Sequence, residues 1–253
     1  REPGSLLLLE LKVMSALPAS STNHSSSFFH IPFILLLVYA GLLLHGELFL
    51  TEGAFERDGF YHARYAQMLP ERGLSRSFPW MQFSTWKDAF CDKDFLYHVY
   101  LAPFCRDAHE PLAGAKMATL VLVLILLTLF YVVLLKLDAP WPLFWTILLV
   151  FGSGLFLNRM LMIRSHVLSS SLMVVGIYFI LRQNFWMCFG CAFVYAWSYS
   201  FAPALLMTAL AAEVGRAIAK RSASSPEEKT KASNFRAAIA IGGKWECLRT
   251  PLA

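Results

Sequence analysis

The chain is short of charge. Of its 253 residues only 15% are Asp, Glu, Lys or Arg, against 57% apolar, too few charged side chains to solvate the outside of a water-soluble globule of this size. A soluble protein is thereby excluded and a membrane protein expected. There is no Gly-rich phosphate loop, no GxSxG elbow and no HExxH pair, which leaves soluble nucleotide and hydrolase chemistry without support. The net charge is +5 with 22 Lys and Arg, yet these lie between apolar blocks and form no continuous basic stripe, which argues against a nucleic-acid partner. The five cysteines include no zinc-type spacing, and the apolar content makes a disulfide scaffold unnecessary.

What is present is a series of long apolar runs. Residues 28–44 are apolar enough for a first span, and 118–135 are uncharged and interrupted by Thr119 and Thr128, close to the roughly 20 residues that cross a hydrocarbon core. Residues 140–157 form another run, opening with the interfacial anchors Trp141 and Trp145, and 165–181 the next. Residues 183–212 are uncharged throughout and too long for one ordinary span; Pro203 lies inside them. They form either a hairpin of two short helices turning at 199–202 or one kinked helix. The expected fold is an all-α multispanning membrane protein with about five to six transmembrane helices and a large external first loop that contains short helices.

Segment by segment, 1–27 reads as disordered or non-native, with Met14 as a natural start. A first transmembrane helix follows at 28–46, an external loop domain at 47–116, a helix bundle at 117–213 and a polar cytoplasmic tail at 214–253 that reads as truncated. Orientation follows from charge. The stretch after Ala212 holds eight Lys or Arg against four Glu, and is expected inside; residues 47–116 hold ten acidic against eight basic residues and are expected outside.

A seventy-residue loop exceeds what a connector needs. Its first part, from Glu56 to Leu69, reads as a short helix stopped by Pro70 and Gly73, with Asp58, His62 and Tyr65 on one face and Phe60 and Arg64 on another. Asp58 is either a helix cap or a chemical group. Further along, Asp92 and Asp94 would point the same way on an extended segment, as a shared cation requires, or serve as solvated loop residues. His98 is expected to pack. Cys91 and Cys105 fall in the same loop, where an oxidising compartment would permit a disulfide. Cys188 and Cys191 have redox-type spacing inside an apolar span, where helix packing is the expected role. Between two later runs, Arg159, Arg164 and His166 place cations at the membrane surface, either snorkelling to headgroups or binding a phosphate.

The run Asp58-Gly59-Phe60-Tyr61-His62-Ala63-Arg64, just past the first span, resembles the opening of the first external loop in the catalytic subunit of oligosaccharyltransferase. The plan over residues 28–212 is similar to the C-type glycosyltransferase superfamily, whose multispanning members use polyprenyl-phosphate-linked sugar donors. The resemblance implies transfer of a sugar from such a donor to an acceptor on the external face of a bacterial or archaeal cell membrane. Asp58 would act at the acceptor, assisted by Glu56, in a groove shaped by Tyr61, His62 and Arg64. Arg159, Arg164 and His166 would hold the donor phosphate. A divalent cation, Mg or Mn, would sit on Asp58 with Asp92 and Asp94. Membrane lipid and the lipid-linked donor are the implied partners, the acceptor staying open, and a fragment of such an enzyme would be inactive without its missing parts. The competing class is a non-enzymatic transporter or assembly factor whose external loop is a docking surface.

Overall fold

The structure, a computed structural model, describes residues 27–106, 109–201 and 203–223. The start at Met14, the segment before residue 27 and the tail beyond 223 lie outside the described residues. Those described are helical and contain no strand: α1 (Ser27–Phe49), α2 (Asp58–Arg72), a 3-10 turn (Thr85–Lys87), α3 (Phe95–Leu101), α4 (Pro111–Lys136), α5 (Pro142–Phe151), α6 (Gly154–Leu161), α7 (His166–Leu181), α8 (Phe185–Ser198) and α9 (Pro203–Ala223).

Two helices, α1 over His30–Phe49 and α4, are long and apolar enough to cross a membrane, and α5 with α6 makes a third if the bent pair is one span. α7 has 16 residues and α8 has 14, both short of the roughly 20 that a straight crossing needs. The count of clear spans is therefore two to three. Residues 140–157 do not form the single continuous helix expected of them. The chain breaks at Gly152 and Ser153, the Ser153 hydroxyl accepts the Phe156 N–H at 3.3 Å, and α6 leaves α5 at 76°. An N-cap inside the apolar run outweighs hydropathy there.

Apolar side chains face outward along these helices. Leu42 of α1 is 70% exposed and Trp186 of α8 is 78% exposed, with Leu35, Phe189 and Phe193 also open, a surface that water does not tolerate but hydrocarbon does. Hydroxyls inside the apolar helices return to the preceding turn: Thr119 donates to the Ala115 carbonyl at 2.9 Å, and Thr146 to that of Pro142 at 2.9 Å. No hydroxyl of these two is left to hydrocarbon. The run 183–212 resolves into two helices, α8 and α9, broken before Pro203, and α9 continues past Ala212 to Ala223.

The segment between α1 and α4 seats on the start of α4. Tyr100 donates its hydroxyl to the Ala118 carbonyl at 2.7 Å, and the buried Lys116 ammonium donates to the Thr51 carbonyl at 2.6 Å. Gly114 is where the two backbones touch, since a Cβ there would fall 1.9 Å from the Phe104 carbonyl oxygen. A continuous core joins Leu44 and Leu48 of α1, Ala63 and Ala66 of α2, Tyr97 and Leu101 of α3, the first half of α4, and Ile163 with Val167. The loop aromatics Tyr61, Tyr65, Phe78, Trp86 and Phe90 pack against one another, rings within 6.4 Å. α2 starts at Asp58 and runs beyond Pro70, which sits in its last turn; the helix stops at Gly73, at φ 64°, whose N–H donates to the Leu69 carbonyl. A left-handed φ is what glycine allows without strain.

Cys91 and Cys105 are both free, Cys105 being buried with its thiol pushed up to about 11 by that burial. The permitted disulfide is therefore not formed. Cys191 donates to the Leu172 carbonyl between α8 and α7 at 3.3 Å, a packing role as expected.

Candidate functional site

α2 begins against the turn that links α6 to α7. A Cβ on Gly59 would lie 2.9 Å from that of Ala54 and 3.4 Å from side-chain atoms of Ile163, so the small residue after Asp58 lets the helix start close to Arg164. The N-cap position belongs to Arg57, without a side-chain cap bond. Asp58 is the first helical residue and its carboxylate forms an ion pair with Arg164. The capping alternative is thus set aside by geometry. Arg164 also meets Glu56, so one guanidinium lies between two carboxylates. Burial raises the Glu56 carboxyl above its ordinary value even though Arg164 pulls the other way.

Around this ion-pair cluster lies a polar cavity of about 160 Å³. Asp58 and His62 come from α2, Lys93 and Asp94 from the loop before α3, and Arg159, Arg164, Ser165 and His166 from α6, α7 and the turn between them; Tyr199 and Ser200 close it from the α8–α9 break. Asp94 is buried and accepts the Ser165 hydroxyl at 2.7 Å. His166 uses its Nε2–H on the Arg159 carbonyl at 2.6 Å. Arg159 and Lys93 form no ion pair among the described residues, which leaves two cationic heads for an anion.

The expected residues divide clearly. Asp58, His62, Asp94, Arg159, Arg164 and His166 meet at the cavity although they span 109 positions of sequence. Glu56 stands behind Arg164 and does not line it. Tyr61 lies in the aromatic cluster, 5.7 Å from the His98 ring centroid. Arg64 points away and donates to Gln67 on the exposed side of α2. Lys93, Ser165, Tyr199 and Ser200 were not singled out by the sequence; Lys93 stands between two aspartates that were, and Tyr199 and Ser200 precede a helix-breaking proline.

His98 does more than pack. It is fully buried, and its Nδ1 faces both oxygens of Asp92 at 2.8 and 2.9 Å, while its Nε2 lies 2.8 Å from Nδ1 of His62. Asp92 also accepts the Asp94 N–H at 3.0 Å. Burial first, and the neighbouring His98 second, lower His62 to about 3, so its imidazole is neutral at ordinary pH. The pair Asp92 and Asp94 does not share a ligand: one carboxylate faces His98 and the other Ser165, while Asp58 faces Arg164. Three carboxylates engaged in three directions do not fit a common Mg or Mn, and among the described residues no group of three or more His, Cys, Asp and Glu is arranged to hold a metal ion.

A second cavity, of about 370 Å³, lies beside the first. Leu126 and Phe130 of α4, Leu149 of α5, Phe156 of α6 and Met173 and Val174 of α7 make it apolar, and His166 and Tyr199 belong to both cavities. A charged cavity and a mostly apolar one, which Ser169, Ser170 and Tyr195 also line, thus share two residues. Compared with family models, with curated proteins and with solved structures, the chain matches none.

Proposed function

We propose that the chain is a membrane glycosyltransferase that moves a sugar from a polyprenyl-phosphate-linked donor to an acceptor on the external face of a bacterial or archaeal cell membrane. The observation that carries this reading is the pair of cavities sharing His166 and Tyr199. An anionic head beside a long hydrocarbon tail is the ligand chemistry such a pair suits, and a lipid-linked sugar phosphate has that chemistry. The phosphate lies against Arg159 and Lys93, a charge-assisted contact, and the polyprenyl chain against Phe130, Phe156 and Met173.

In this reading Arg164 positions Asp58 and Glu56 and does not serve as the main phosphate ligand, since both of its neighbours are already carboxylates. Asp58, whose side chain is 57% exposed, orients the acceptor. The topology that goes with it has five to six crossings, with residues 47–116 outside and α9 reaching the cytoplasm, the short α7 and α8 crossing as tightly connected members of the bundle.

The test is transfer by the full-length protein in proteoliposomes, with short-chain polyprenyl-phosphate hexoses as donors. Wild-type protein is expected to release polyprenyl phosphate in an acceptor-dependent way. Asp58→Asn is expected to fold, to keep binding polyprenyl phosphate and to lose transfer, because the amide keeps the shape but not the negative charge. Protein that binds no polyprenyl phosphate and transfers no sugar would overturn the reading.

A further inference from the structure

Three side chains outside the ion-pair cluster are joined in a line: Asp92, His98 and His62. We propose that this line is a proton relay, in which Nε2 of His62 takes the acceptor's proton, His98 takes the proton that His62 gives up, and Asp92 acts as a positioning residue. The proposal rests on the transferase reading and names the group that activates the acceptor.

The polarity of the line follows from hydrogen-bond inventory. A carboxylate only accepts, so the His98 Nδ1 that faces both Asp92 oxygens carries a proton. The relay assigns one proton to each ring, so that His98 Nε2 accepts from Nδ1–H of His62, 2.8 Å away. That assignment leaves Nε2 of His62 without a proton. His62 lines the polar cavity, and this nitrogen takes no other hydrogen bond among the described residues and is not sealed from the surface. The assignment therefore puts an unprotonated nitrogen on a residue that lines the polar cavity together with Lys93, Arg164 and His166.

Burial makes a positive charge on the His62 ring unfavourable, and the relay avoids that charge. As the acceptor's heteroatom bonds to the anomeric carbon of the sugar, the bond from that carbon to the phosphate oxygen breaks and its electron pair leaves on the phosphate, held by Arg159 and Lys93. The acceptor's proton goes to Nε2 of His62, and the Nδ1 proton of His62 passes to Nε2 of His98. His62 ends neutral, as it began, with its proton on the other nitrogen. The positive charge rests on His98, against the Asp92 carboxylate, where opposite charge stabilises it. Asp58, paired with Arg164, is thereby relieved of acting as the base.

The discriminating variant is Asp92→Asn in the full-length protein. Asparagine still accepts the Asp94 N–H through its oxygen, but it can turn an N–H toward His98 Nδ1, which forces the proton onto Nε2 of His98 and then onto Nε2 of His62, blocking the base. The measurement is the imidazole tautomer by 15N NMR of histidine-labelled protein in nanodiscs, with the His62→Gln variant assigning its resonance, and transfer from a short-chain polyprenyl-phosphate hexose. Asp92→Asn is expected to invert the His62 tautomer and to lower kcat by roughly 100-fold or more with donor KM little changed. His62→Gln is expected to bind polyprenyl phosphate normally and to lose transfer to a similar degree. An unchanged tautomer in Asp92→Asn, or an inverted tautomer with unchanged kcat, overturns the relay. The tautomer is read without donor, so a relay of the wrong polarity is told apart from a wild-type protein that transfers nothing, which overturns the transferase reading.

Discussion

Ser165 and Asp94 meet across 71 positions of chain, the serine hydroxyl donating to the aspartate carboxylate at 2.7 Å where both are buried. The contact ties the start of α7 to the loop before α3, and so fixes one wall of the polar cavity against another. Ser165→Ala would leave a buried carboxylate without that donor. It is expected to lower stability by about 1–3 kcal/mol and to weaken polyprenyl-phosphate binding, read by thermal unfolding in detergent and by titration of the lipid. A variant as stable as wild type would mean that Asp94 is solvated.

Arg159 and Arg164 are expected to behave differently on truncation. Arg159→Ala removes a cation that forms no ion pair among the described residues, so folding should be normal and polyprenyl-phosphate affinity should fall about tenfold or more. Arg164→Ala strips Glu56 and Asp58 of their shared partner, and should show itself first as a lowered unfolding temperature. Equal losses of affinity with unchanged stability in both variants would make Arg164 a ligand as well.

The buried His62 gives stability a pH dependence of known sign. Its folded pKa is lowered to about 3 from 6.5, so between those values the unfolded chain binds the proton and the folded one does not. Stability from this group is full above pH 6.5 and is lost as the pH falls. Between pH 6.5 and 5 the expected loss is about 1–2 kcal/mol, measured as a drop in denaturant midpoint, and His62→Gln should flatten it.

Topology is tested by single cysteines at Ser77 and Asp138 in a background without the native cysteines. Ser77 lies in the loop between α2 and α3, and Asp138 between α4 and α5. A membrane-impermeant maleimide should reach the two from opposite sides. Labelling of both from one side would remove α4 from the list of crossings.

Much of the helical content was legible in apolar runs, because hydropathy reports burial in hydrocarbon directly. The run 140–157 did not reveal its bend, because a serine able to cap a new helix breaks the chain while the two helices together stay apolar enough for one span. On α2 the 3.6-residue period put Asp58, His62 and Tyr65 on one face and Phe60 and Arg64 on another; His62 and Tyr65 are buried and Phe60 and Arg64 exposed, while Asp58, at the helix start, is exposed. Partnerships were harder. Nothing local marks Asp58 as the mate of Arg164, 106 positions on, and the six-residue spacing of Asp92 and His98 fits no simple helix or strand rule, since the two are joined through a turn into α3. His98 looked like core because an imidazole among tyrosines and leucines has the same sequence surroundings whether or not it carries hydrogen bonds.

The sharing of His166 and Tyr199 by the two cavities bears on how such a protein would be assayed. On the proposed function, a tail seated against Phe130, Phe156 and Met173 would reach its place by lateral diffusion within a sheet of lipid, so the quantity governing occupancy would be the mole fraction of the amphiphile in that sheet. Adding inert lipid at constant total donor would then slow the reaction by surface dilution, while changing the bulk volume would leave the rate untouched.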